Sequence, residues 1–247
     1  MRSIITMLLV VIAASTTIHS SAATPDTEAA ARVDRYLEAL GGRGPWAAAR
    51  GEYVLAVTTD PKRPLPYTFE LCWDLGQPRT AERARLQSRT QRRGYAQGSG
   101  WSYGVDAGSD AGTLRTWTAE EGANNEKLWR AAFEVVTHRL AAKDPALQVR
   151  MGRDDWAGWI EVQEQGAVVA RLLTDADGAP QRYLRLVDNT SLVFGPLVDR
   201  GPIRFPKHGD FDPGAHFEVI TIEFSPRAPQ AVFALPASTS RGELDCR

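Results

Sequence analysis

The sequence predicts a mainly β protein of the α+β class, built on one large antiparallel sheet. Three observations predict it. From Gly51 onward, apolar residues recur at every second position in many short segments. Turns bearing Gly, Asp or Pro join those segments at spacings too short for parallel crossovers. The helical period appears in only two places, near the N-terminus and in the middle of the chain.

The first element is not part of the fold. Met1-Arg2-Ser3 supplies one positive charge, Ile4 to Ala14 is an apolar run, and Ser20-Ser21-Ala22-Ala23 places small residues at cleavage spacing. This is the pattern of a secretory signal peptide, expected over residues 1–22 with cleavage near Ala22 or Ala23. The run is too short to span a bilayer, which takes about 20 apolar residues. The mature chain, residues 23–247, reads as one soluble domain, exported to the periplasm or beyond, and as a monomer. The full sequence has 29 Lys and Arg against 30 Asp and Glu, and loss of Arg2 with residues 1–22 leaves 28 against 30, so there is no basic surplus for nucleic acid.

The first helix is expected over Pro25–Leu40. Thr24 suits its cap, Pro25 its first position, and Asp26 and Glu28 its positive end. Ala29, Val33, Tyr36, Leu37 and Leu40 share one face, and Gly41 suits a left-handed C-cap. Strands are then expected at Glu52–Thr59, Pro66–Trp73, Arg79–Leu86, Arg89–Ala96, Gly100–Asp106 and Thr113–Thr118. A second helix, Glu126–Ala142, carries the stripe Trp129, Ala132, Phe133, Val136 and Leu140, and Asp144-Pro145 stops it. His138 falls on its other face and is expected in solvent. Strands resume at Leu147–Met151, Trp156–Gln163, Ala167–Thr174, Gln181–Val187, Ser191–Phe194, Ile203–Phe205 and His216–Phe224.

The helix ending in Leu40-Gly41-Gly42, Trp46 just beyond it, the export signal and the closing Phe233-Ala234-Leu235-Pro236 together resemble the periplasmic lipoprotein-carrier superfamily, which includes the lipoprotein-sorting chaperones. The resemblance runs from about Arg32 to Pro236. It implies a strongly curved sheet, an unclosed β-barrel with helices across its concave face, and a cavity beneath them for acyl chains. On that reading Tyr67, Phe69, Leu71 and Trp73, then Trp101, Tyr103 and Val105, then Trp156, Ile160 and Val162, line the concave face. Tyr36, Trp129 and Phe133 cover them. The plainer reading is a solid core, since large apolar side chains bury themselves without a ligand. No position can be assigned the lid-latching arginine or the partner-docking segment of a sorting chaperone.

The expected function is a non-catalytic binding protein for a lipid or acylated partner. An interaction module with a filled core and a hydrolase with a dispersed site are the alternatives. No nucleophile elbow, phosphate loop or dinucleotide fingerprint is present, and no cofactor is expected. In the strand Pro66–Trp73, alternation turns Cys72 away from the aromatic face, within reach of a tail carrying Cys246. An oxidising compartment would bridge them; two free thiols are the alternative. Lys207 to His216 holds two histidines and two aspartates among Gly and Pro, and reads as a turn rather than a metal site. Asp175-Ala176-Asp177-Gly178 reads as a hairpin turn rather than a calcium loop. Arg79, Arg83, Arg85, Arg89, Arg92 and Arg93, with Glu82 among them, read as a solvated strand face or as a strip for peripheral contact with anionic headgroups.

Overall fold

Asp26 caps the first helix, α1 (Thr27–Ala39). One carboxylate oxygen accepts from the Ala29 N–H at 3.1 Å, and the other from the Met151 N–H at 2.7 Å, which ties the helix start to the sheet. The computed structural model describes residues 26–109, 112–212, 214–225, 227, 231–234, 244 and 246. The expected signal peptide, its cleavage point and the expected cap at Thr24 lie outside them. No helix among the described residues is long and apolar enough to cross a membrane.

The α1 C-terminus is a Schellman motif. Gly41 N–H donates to the Glu38 carbonyl at 3.0 Å and Gly42 N–H to the Leu37 carbonyl at 2.8 Å. Gly41 has φ +98°, and a Cβ there would lie 3.2 Å from the Ile203 Cα. Backbone conformation and close approach both require glycine here. A short helix follows, α2 (Arg43–Ala48), and Trp46 donates its indole N–H back to the Leu40 carbonyl at 3.1 Å.

Six strands then run in sequence: β1 (Gly51–Thr59), β2 (Tyr67–Asp74), β3 (Arg79–Arg85), β4 (Arg89–Ala96), β5 (Ser99–Asp106) and β6 (Gly112–Thr116). Two helices interrupt where one was expected, α3 (Ala119–Arg130) and α4 (Phe133–Ala141). The break falls at Ala131-Ala132, where Ala132 is extended (ψ 145°) and the Tyr183 hydroxyl donates to the freed Ala131 carbonyl at 2.8 Å. After them come β7 (Leu147–Met151), β8 (Ile160–Glu164), β9 (Ala167–Thr174), β10 (Pro180–Arg185), β11 (Thr190–Phe194), β12 (Leu197–Arg200), β13 (Ile203–Pro206), β14 (His208–Asp212) and β15 (Ala215–Ser225). Trp156 belongs to a 3₁₀ turn, Asp154–Trp156, rather than to the strand expected there; its ring packs on Trp159 and under the Arg171 guanidinium. Asp175–Gly178 is a hairpin turn, closed by Asp175 Oδ1 accepting from the Asp177 and Ala179 N–H groups.

Thirteen strands form one antiparallel sheet in the order β6-β5-β4-β3-β2-β1-β15-β14-β11-β10-β9-β8-β7, and β12-β13 form a separate ribbon. The edges β6 and β7 do not pair, so the sheet is not a closed barrel. The main core lies on one face of it, between α1, α2 and α4 and the inward residues of β1, β2, β8–β11 and β15. On the other face Cys72 and Cys246 form a disulfide bridge, with Ala81, Phe233 and Leu244 packed around it.

Candidate ligand-binding hollow

Register fixes which side chains share the inner face, because residues opposite each other on paired strands point the same way. Trp73 stands opposite Glu52 on β1, which stands opposite Phe224 on β15. The next inward row is Leu71, Val54 and Ile222. Further round the sheet Tyr183 (β10) stands opposite Leu192 (β11), and Leu192 opposite Phe211 (β14). The first turn of α4 lies over these rows. Phe133 is the hub, with ring centroids 4.6 Å from Phe194, 5.5 Å from Tyr183, 6.1 Å from Phe205 and 6.4 Å from Tyr36.

Between Phe133 and the sheet an open hollow of about 240 Å³ remains, walled by Phe69, Leu71, Trp73, Tyr183 and Leu192. Glu82, Glu134 and Arg185 also face it. Glu52 lies deeper, beside Trp73, 2% exposed, and neither of its carboxylate oxygens has a hydrogen-bond partner. Burial raises the Glu52 pKa well above the ordinary carboxylate range, and the negative charge of Glu134 adds to the rise. Burial raises Glu134 as well, opposed by its own backbone N–H at the helix start and by Arg185. Burial raises Glu82, opposed by Arg93 at 3.9 Å and by Arg185. Two carboxyls biased toward their neutral form thus border the hollow, and a third lies behind its wall.

The expected cavity residues divide. Phe69, Leu71, Trp73 and Phe133 line the hollow. Tyr36 lies behind Phe133, 1% exposed, its hydroxyl 2.5 Å from the Thr137 hydroxyl. Trp129 donates its indole N–H to the Asp74 carbonyl at 2.9 Å and walls a different recess. Tyr67 sits at the sheet rim under the Arg63 guanidinium. Ile160 and Val162 are buried in the main core. Trp101, Tyr103 and Val105 are on the outer face, contrary to expectation. Trp101 stands opposite Gly94, Gly94 opposite Ala81, and Ala81 opposite Cys72. That face is apolar too, because the C-terminal segment covers it: Trp101 donates to the Phe233 carbonyl at 3.3 Å.

The inward positions of β5 are therefore Gly100, Ser102 and Gly104, and a polar groove of about 490 Å³ opens there beneath α3. Arg93, Gln91, Arg115 and Asn124 line it, and Arg115 is held by Glu121 at 2.8 and 2.9 Å. A further recess of about 720 Å³ lies beside α4, walled by Arg50, Arg79, Arg130, Arg139 and His138. Arg139 there is clamped by Glu164 at 2.6 Å and Asp144 at 2.7 Å. His138 is 4% exposed rather than solvated, since α2 packs over it. Arg50 donates to its Nε2 at 2.8 Å, so Nδ1 carries the hydrogen given to the Trp46 carbonyl at 2.8 Å. Burial lowers its pKa first, which keeps it neutral.

The six arginines of Arg79–Arg93 do not make one strip. Arg83 and Arg92, opposite each other, are on the outer face, and Arg93 is on the inner face opposite Glu82. Arg83 forms a buried ion pair with Glu70. Glu52, Glu134, Arg185, Tyr183 and Leu192 are additions to the sequence-derived set. Glu82 carried a signal, as the one acid within a basic stretch and in register with Thr80 and Ala84.

Among family models none matches the chain, and no curated protein does. Among solved structures, it is similar to a DUF1329 family protein from Desulfovibrio piger, at 14% identity and a TM-score of 0.47, over 85% of this chain and 98% of that one.

Proposed function

We propose that the protein is an exported, non-catalytic binding protein that holds a lipid or an acylated partner in the inner-face hollow. The observation that carries this reading is the unfilled space between Phe133 and the wall of Phe69, Leu71 and Trp73. Three recesses are larger: two are walled by charged side chains and suit an acyl chain less well, and the third, about 460 Å³ around Leu65, Tyr67 and Leu86, is a depression at the sheet rim with no helix over it among the described residues. At about 30 Å³ per water-sized group, the hollow holds a short stretch of chain. A longer one requires α4 to lift, and the break at Ala131-Ala132 gives it a place to swing. Affinity comes from apolar burial, about 25 cal/mol per Å² before ordering costs.

Native mass spectrometry after mild purification, followed by titration with a fluorescent fatty acid, tests the proposal. Wild type takes up the probe. Leu71→Trp fills the hollow, abolishes uptake and leaves a cooperative melt. An empty protein with no uptake favours an interaction module instead. The raised carboxyls of Glu82 and Glu134 support a second reading, a hydrolase using one as acid and the other as base. Turnover of an ester or glycoside panel that is lost in Glu134→Gln would establish that reading in place of the carrier.

A further inference from the structure

The stretch expected to be only a turn is in fact strand β14, the start of β15 and the hairpin between them. His208 and Asp210 are two apart on β14, so they share a face. His216 on β15 stands directly opposite Asp210. Gly209 and Phe211, the alternate positions, point inward with Phe217 and Leu192, which places the three polar residues on the outer surface. One ligand atom from each of His208, Asp210 and His216 lies within 4.8 Å of the others, and the two imidazole centroids are 5.5 Å apart.

Two further observations point to a ligand at this place. His208 Nδ1 is buried and has no hydrogen-bond partner. The His208 ring occupies the space over Gly195, where a Cβ would come within 2.5 Å of Nδ1 and 2.7 Å of Nε2. The ring is therefore held by its surroundings while one nitrogen is left unused. His216 Nδ1 faces Asp210 Oδ1 at 2.8 Å, and both side chains are open to solvent, at 45% and 58% exposure. A cation can reach them directly.

We infer that His208, Asp210 and His216 form a divalent-cation site of the zinc class on the β14–β15 hairpin. Two imidazoles and one carboxylate are the donor set for zinc, cobalt, nickel or copper, and calcium and magnesium prefer all-oxygen sets. Around zinc, ligand atoms sit about 3.3 Å apart, as set by bond lengths of about 2.0–2.1 Å and tetrahedral angles. The present spread contracts to that by rotation of the exposed Asp210 and His216 side chains toward the held His208 ring. Three protein ligands leave a fourth position for water or a partner's side chain. A bound cation would pin β14 to β15 and does not depend on the contents of the hollow.

The test uses the mature chain without an affinity tag. Its described histidines are then His138, which is buried with both nitrogens engaged, and the two of the site. Titration with zinc by calorimetry, and with cobalt by visible absorption, is expected to give one site of micromolar or tighter affinity. Zinc should raise Tm by a few degrees, reversed by EDTA. His216→Ala and His208→Ala should each weaken binding at least tenfold, and Asp210→Asn severalfold, with the metal-free melt of His216→Ala unchanged. The proposal is overturned if 100 μM zinc gives neither heat nor a Tm shift. It is equally overturned if the His208→Ala/His216→Ala double variant binds as wild type does.

Discussion

Two glutamates on neighbouring strands are buried in opposite ways. Glu70 on β2 faces outward, 6% exposed, and is ion-paired to Arg83, itself 2% exposed. Glu52 on β1 faces inward, 2% exposed, with no partner for either oxygen. A buried charge is tolerable when a counter-charge and hydrogen bonds replace water, and otherwise the group gives up its charge. The outer carboxylate is therefore held as an ion by a guanidinium beside the C-terminal segment. The inner face is electrostatically incomplete beside an open hollow, and Glu52 and Glu134 are shifted toward the neutral acid. Burial penalises an ionised carboxylate on both faces; Glu70 is answered by a guanidinium and Glu52 is not.

The largest effect comes from breaking the outer pair. Glu70→Ala takes the carboxylate away from buried Arg83, which stands opposite Arg92, and is expected to cost about 3–5 kcal/mol in urea unfolding. A loss below about 1 kcal/mol would mean that water reaches Arg83. The inner acid should respond in the opposite direction. Glu52→Met removes an unsatisfied buried carboxyl and is expected to gain about 1–3 kcal/mol at pH 7.

The sign of the pH dependence follows from the raised pKa. Below pH 4.5, the ordinary value, the Glu52 carboxyl is protonated whether the chain is folded or not. As pH rises past that value the unfolded chain releases the proton and the folded one keeps it. Stability then falls with rising pH until the folded pKa is reached. Glu82 and Glu134 act in the same sense. Glu52→Gln should flatten this slope in a series of thermal melts, and an unchanged slope would remove Glu52 from the account. The smallest effect is expected at Arg93→Ala, whose partner Glu82 lies 3.9 Å away with Arg93 56% exposed. A screened pair of that kind contributes about 0–1 kcal/mol.

Much of the frame was readable from local patterns. Gly41-Gly42 marked a helix stop because a left-handed turn needs glycine, and the Schellman bonds are there. Alternation found the strands, and it put Phe69, Leu71 and Trp73 on one face. Alternation divides a strand into two faces but does not say which is inside. Trp101 and Tyr103 were placed on the wrong side because the cover over the outer face comes from Phe233 and Cys246, more than 100 residues downstream. The break between α3 and α4 falls on two alanines, the best helix formers, and its free carbonyl is taken up by a tyrosine on a distant strand. Glu52 enters the sequence reading only as the first residue of the strand Glu52–Thr59. Its burial depends on Trp73 and Phe224, neither adjacent to it in sequence. The Gly and Pro around His208 and His216 masked a strand that only pairing with β11 and β15 reveals.

The sheet order carries one more consequence, for time rather than for stability. β1 to β6 are consecutive neighbours, and most of β7 to β15 are too, so each arm can zip from local hairpins. The arms meet at a single seam, β1 against β15, where Gly51 lies opposite Ser225. Contacts between residues so far apart are entropically late and slow folding. The seam cannot form until nearly the whole chain exists, and until then each arm shows an unpaired strand edge at what will become the middle of the sheet. Folding of this protein is thus a race between closing that central seam and pairing either open edge with another chain.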